Sequence, residues 1–300
     1  VTGGTDGVAG GRPADEGEHV PPRSSPTARQ QRLGAELRKL REQSGMSAQQ
    51  AAALLGVDRT RIPNVESGRF GISPERVRTL AFNYGCPDTA LVDLLAAMAQ
   101  ERDRGWWEEH RGLLPPALLD IAELEYHAAE LATAVTTHIP GLLQTEEHAR
   151  AVFDTAVPPL PGPDLEARLA LRLRRQETLD RPVPYEAVIH EAALRMQFGG
   201  PKVARAQLEH ILEQSERATV TVRVIPFAAG GFPGAGQSFT YVSAPVPQLD
   251  TVQLDSSHGS LLLDADMTLR RYRGLLERLR GLALSTADSR AFVRSIAQDL

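Results

Sequence analysis

From Gln31 onward the chain takes on a helical rhythm. Leu33, Leu37 and Leu40 fall at i, i+4 and i+7 with charged residues between them, and Gly45 ends the run. Ser47, with Gln50 three residues later, reads as a capping box. It predicts a second helix through Ala51, Ala52 and Ala53 to Leu55, where Gly56 supplies the stop. Asp58 is placed to cap a third helix that turns Ile62 and Val65 inward. Ser73-Pro74-Glu75 opens a fourth, with proline at the first helical position and Val77, Leu80, Ala81 and Tyr84 as its apolar stripe. A fifth starts at Asp88 and carries Leu91, Leu94, Leu95 and Met98. Ahead of all this, residues 1–28 are rich in Gly, Pro and Ser and almost lack large apolar side chains. They cannot bury enough surface to offset the entropy of ordering, and are expected to be a disordered tail.

Arg104-Gly105 reads as a hinge, beyond which helical and strand patterns mix. Helices are expected over 116–131, 145–155, 164–178, 201–216, 266–282 and 286–299, and strands over 184–190, 219–225, 238–243, 250–254 and 259–263. The alternation in Thr219–Ile225 is that of a half-buried strand. The expected organisation is a tail (1–28), an all-α five-helix domain (29–103) and an α+β domain (104–300) whose strand order the pattern does not reveal.

Composition sharpens this. A chain of 300 residues with 42% hydrophobic residues can build two cores. Its apolar runs are too short to cross a bilayer, and residues 1–30 lack the apolar stretch of a signal peptide. The single cysteine, Cys86, has no intrachain partner, so a cytoplasmic location is the expectation. Lys39 and Lys202 are the only lysines, and the preference for Arg, Ala, Leu, Gly and Pro points to a GC-rich, actinobacterial-type genome. The net charge of −5 argues against a protein that coats nucleic acid indiscriminately. Between residues 29 and 80, however, ten basic side chains face five acidic ones, a local +5 that leaves −10 for the rest. A basic module on an acidic body is the asymmetry expected when one part docks on phosphates.

The second and third helices meet at Gly56 within about four residues, as a helix-turn-helix requires. The alanines keep the second helix slim. The outer face of the third offers Arg59, Thr60, Arg61 and Asn64. Arginine can take both acceptors of guanine, and asparagine both groups of adenine. Pro63 sits within this segment, where it removes a backbone hydrogen bond and costs about 3 kcal/mol in a regular helix interior. The helix then either has a loose first turn over residues 59–62 or begins at Pro63. Over residues 31–85 the chain resembles the Xre, or λ-repressor-like, helix-turn-helix regulators. The resemblance implies a scaffold helix at Ser47–Leu55, a recognition helix at Arg59–Glu66, and a buried structural pair between Arg41 and Glu66. It also places Gly68-Arg69 at a phosphate-contacting turn, while Ala48 stands where many members carry a phosphate-contacting glutamine.

The remainder offers no comparable chemistry. Trp106-Trp107 read as a hydrophobic anchor for the linker, and Thr145, with Glu146 and Glu147, as a helix start. His127, His138, His148, His190, His210 and His258 are scattered, without metal-ligand spacing. No serine has a nucleophile-elbow context, Ser256-Ser257-His258-Gly259 reads as a turn, and Gly230–Gly236 lacks the ending of a phosphate loop. The expectation is no catalytic residue, metal or cofactor. Gly105-Trp-Trp-Glu, residues 123–129, Ile139–Thr145, Val224–Phe227 and Gly230-Gly231 resemble an uncharacterised actinobacterial domain. That domain follows such a helix-turn-helix in antitoxin-like and WhiJ-like regulators. The expected function is therefore a sequence-specific regulator of double-stranded DNA, a repressor or autoregulator acting as a homodimer and not at a membrane. The alternative is an antitoxin-like interaction protein whose C-terminal domain binds a small protein partner or a ligand.

Overall fold

The computed structural model describes residues 26–101, 105–256 and 259–300. Residues 1–25 of the tail expected over 1–28, Arg104 of the hinge, and Ser257 and His258 lie outside these. Five helices come first: α1 (Ala28–Gln43), α2 (Ala48–Leu54), α3 (Arg61–Glu66), α4 (Pro74–Asn83) and α5 (Thr89–Gln100). Three of the expected caps are present; the fourth is not, since α3 begins after Thr60 without a side-chain cap and Asp58 lies in the turn before it, bonded to Thr60. Ser47 and Gln50 form a reciprocal capping box, Ser73 accepts from the Arg76 amide, and Asp88 accepts from the Leu91 amide. The tail boundary differs. Thr27 and Gln30 build a capping box that starts α1 at Ala28, so residues 26–28 belong to the folded domain. A threonine three residues ahead of a glutamine was legible there, but it borders the polar tail.

The C-terminal domain is α+β. Its first helix, α6 (Pro116–Tyr126), stops well short of residue 131, and Glu130–Val135 is strand β1. The remaining strands, β2 (Tyr185–His190), β3 (Val220–Ile225), β4 (Phe239–Ser243), β5 (Thr251–Ser256) and β6 (Gly259–Leu263), lie where the alternation placed them. They form one sheet in the order β3-β2-β1-β4-β5-β6, in which β1, β2 and β3 are parallel and β4, β5 and β6 antiparallel. The parallel strands are joined through α7 (Glu146–Phe153) and α8 (Gly162–Arg175), then through α9 (Glu191–Arg195) and α10 (Pro201–Gln214).

Each sheet face has its own core. On one, Leu131, Val135, Tyr185, Ile189 and Val222 pack against α10 and α12 (Thr286–Asp299) through Leu208, Ile211, Val293 and Ile296. On the other lies α11 (Asp266–Leu282), whose Leu269, Tyr272, Leu276 and Leu279 fall at i, i+3, i+7 and i+10. Burial of each such leucine is worth about 1.5–3 kcal/mol over exposure. The β3 edge is closed by the start of α12, since Val224 accepts from the Leu284 amide at 2.8 Å and donates to Ser289 Oγ at 3.0 Å.

The two domains share α1. One side of the helix packs in the helical core through Leu33 and Leu37, where Val246 and Leu249 from the β4–β5 connection join it. The other side meets carboxylates: the Ala28 amide donates to Asp120 at 3.0 Å, Arg29 pairs with Glu101 at 2.6 Å, and Lys39 pairs with Asp266 at 3.1 Å. Arg32 binds Glu36 at 3.3 Å, Asp264, and the Gln248 carbonyl at 2.5 Å. Gly105 fits closely over the Trp107 ring, and Trp107 is buried with Leu114, Leu119 and Leu171, the anchor that the paired tryptophans predict.

Candidate nucleic-acid interface

The interface is built on α3. Asp58 starts it as the head of a tight turn, its carboxylate accepting from the Thr60 amide at 2.8 Å and hydroxyl at 2.6 Å. These bonds hold the Asp58 carboxyl below its ordinary range. The helix proper begins at Arg61, which puts Pro63 at its third position. An amide there has no intrahelical acceptor, and the carbonyl that the proline ring would crowd belongs to Arg59, outside the helix. Pro63 is therefore accommodated without breaking a turn. Residues 59–60, expected to be the first helical positions, lie instead in the preceding turn.

Two features fix α3 against α1. Arg41 grips Glu66 with Nε–Oε1 at 2.6 Å and Nη2–Oε2 at 3.0 Å, and gives a third bond to the Met46 carbonyl at 2.9 Å. The two side chains are only 12% and 8% exposed, so the pair is bidentate and nearly dry. Hydrogen bonding to Glu66 raises the Arg41 pKa, and burial pushes the neighbouring Tyr84 hydroxyl to about 12. The second feature is close backbone approach. A Cβ on Gly34 would lie 2.5 Å from the carbonyl oxygens of both Val65 and Glu66. Gly68, at φ +74°, would bring a Cβ to 3.0 Å from Gln30 and Gln31. Gly34 escaped the sequence reading, although a glycine inside a helical rhythm is the signal for such a contact.

Ile62 and Val65 are buried, as the spacing predicts, while Arg59, Thr60, Pro63 and Arg69 are exposed and Arg61 and Asn64 partly so. The polar groups are not equally available. Asn64 Nδ2 donates to the Thr60 carbonyl at 2.9 Å, and the Thr60 hydroxyl proton goes to Asp58. The Arg61 guanidinium lies over the Phe70 ring at 5.2 Å and reaches the Gly71 carbonyl at 3.3 Å. It therefore leans toward the turn that follows α3. Ala53, expected to help narrow the second helix at the contact, is exposed; Ala51 and Ala52 provide it.

The local +5 also resolves by position. Arg29, Arg32 and Lys39 are matched by acids near or in the C-terminal domain, Arg38 by Glu42, Arg41 by Glu66 and Arg78 by Asp93. Arg59 and Arg61 on the α3 edge have no carboxylate within ion-pair distance among the described residues.

A slim scaffold helix, a turn at Gly56 and an exposed, cation-bearing helix start together define a helix-turn-helix protein with an α+β domain attached. Residues 32–104 match the family model described as a helix-turn-helix domain. Residues 118–295, more than half of the chain, match the model described as a domain of unknown function, DUF5753, and the chain belongs to that family. No curated protein and no solved structure matches it. No described helix is long and apolar enough to cross a membrane, and no group of three metal-ligating side chains occurs among the described residues.

Proposed function

We propose that the protein is a sequence-specific, double-stranded-DNA-binding transcriptional regulator, a repressor or autoregulator acting as a homodimer. The start of α3 enters the major groove. The observation that carries this is the contrast on the helical domain: its other cations are largely occupied by acids, while the α3 edge is exposed and held rigid by Arg41–Glu66 and Gly34. Arg59 and Asn64 address base edges, and the exposed ring of Pro63 suits a thymine methyl. Arg69, in the turn after α3, and Arg61, whose guanidinium leans toward that turn, address phosphate. In this reading the chain is not an enzyme and takes no cofactor.

In-vitro selection of bound DNA, followed by titration of variants, tests it. Arg59→Ala is expected to relax preference at one operator position by about 1–3 kcal/mol. Arg61→Ala is expected to weaken all sequences alike and flatten the salt dependence. A selection that yields no motif contradicts the reading.

A further inference from the structure

The loop Ile139–Thr145 connects β1 to α7 and is held by three glutamine side chains. Gln144 Nε2 donates to the Ile139 carbonyl at 2.8 Å, and Gln176 Nε2 to the Gly141 and Gln144 carbonyls at 3.1 and 2.7 Å. Gln207 donates to the Leu143 carbonyl at 2.6 Å and accepts from the Thr145 amide at 2.8 Å. Helix N-capping by Thr145 needs none of this scaffolding. What the clamp does is aim Gln144 Oε1 at Arg172 of α8, which donates to it at 2.5 Å. The guanidinium lies over Phe153 at 4.9 Å, and a Cβ on Gly141 would come to 3.3 Å from it.

Arg172 differs from its neighbours. Arg174 and Arg175 each pair with a carboxylate, Glu109 and Glu125, at 2.6 Å. Arg172 has none within ion-pair distance among the described residues, and Asp255, whose charge it feels, is bonded to Gln253 at 2.5 Å. Beside it stands His148, 1% exposed, with neither ring nitrogen hydrogen-bonded. Burying a donor and an acceptor unpaired forfeits the hydrogen bonds that water would supply, one of which an anion in the site would restore. His148 packs edge-on to Phe198 at 5.6 Å, and His138 stacks on the same ring at 5.2 Å. His138 follows the carboxyl end of the parallel strand β1, the edge of an open α/β sheet at which ligands bind.

We propose that Arg172, His148 and His138 form a binding site for a compact oxyanion, a carboxylate or phosphate, which takes the Arg172 fork and a ring N–H of His148. Planar guanidinium groups match both anions bidentately. Burial, then the charges of His138 and Arg172, hold His148 down at about 4, so at neutral pH it is uncharged and keeps one donor and one acceptor. The site's fixed cation is then Arg172, which suits an anion of one charge. This inference is independent of how α3 meets DNA.

The test is a titration of the full chain with sodium acetate and with inorganic phosphate, against sodium chloride at equal ionic strength. The imidazole resonances of His148 and His138 are followed by NMR. Either anion is expected to move them saturably in the millimolar range and to raise the His148 pKa above about 4. A response to acetate alone marks a carboxylate site, and one to phosphate a phosphate site. Arg172→Gln should abolish the response with helix content unchanged. If that variant does not fold, His148→Gln, read through the His138 resonance, should lose it instead. Resonances that neither anion moves beyond chloride, or that still move in Arg172→Gln, overturn the proposal. The two-variant comparison also separates binding from the general stabilisation that phosphate gives by exclusion from protein surfaces.

Discussion

At the scale of single residues, the helix-turn-helix depends on contacts that leave little room. Arg41→Ala would strand the Glu66 carboxylate, 8% exposed, beside a buried tyrosine. The expected loss is about 3–5 kcal/mol, read from chemical denaturation of the full chain. Gly34→Ala is expected to force α1 and α3 apart, because the new methyl would stand 2.5 Å from two carbonyl oxygens. The cost is about 1–3 kcal/mol, with a matching loss of DNA affinity if α3 is the reading element. An unchanged melting curve for Gly34→Ala would show that α1 and α3 are not packed as described. Arg41 and Glu66 could be named from their positions in a familiar motif, whereas Gly34 could not. A helical glycine announces only that something is close, and what is close lies 31 residues further on.

Among the elements, those that the pattern revealed have strong local signals. Helices α4, α11 and α12 carry caps or regular apolar stripes, and β2 and β3 are rich in Val and Ile. The strand β1 has no such signal, because Glu130-Leu-Ala-Thr-Ala-Val135 has a helix-forming composition. It is extended because β2 and β4 pair with it on both sides, and small Ala132 and Ala134 fit the α11 face. Such pairing is non-local and leaves no trace in the segment itself. The same holds at the start of α1, where Asp120 and Glu123 of α6 reach the first turn. Burial raises the Glu123 pKa from 4.5 to about 7, against an opposing hydrogen bond from Thr27. Folded protein thus holds this proton more tightly than unfolded protein. Its contribution to stability is full below pH 4.5 and is lost as pH rises towards about 7. Glu123→Gln is expected to remove that component from a pH series of denaturation midpoints. A slope unchanged by the substitution would mean that Glu123 is not buried against α1.

For the whole molecule, α1 packs in the helical core and also bonds the C-terminal domain, which the sequence division at Arg104-Gly105 does not convey. Arg32 lies between Glu36, Asp264 and the Gln248 carbonyl, and Val246 and Leu249 sit in the helical core. Arg32→Ala leaves Glu36, 5% exposed, without its cation. Calorimetry should then resolve two transitions where the parent chain gives one. A single transition in both would show that Arg32 does not couple the domains. The coupling gives the C-terminal domain a physical route to α3, since α3 is pinned to α1 by Gly34 and Arg41. The central claim is that the exposed edge of α3 reads DNA. The most direct test is selection of bound sequences from random duplexes by the full chain, repeated with Arg59→Ala. The account predicts a two-fold symmetric motif whose affinity falls steeply with salt, and a preference relaxed at one position per half-site in the variant. Equal enrichment of all sequences, or the same motif at undiminished stringency in Arg59→Ala, would contradict it.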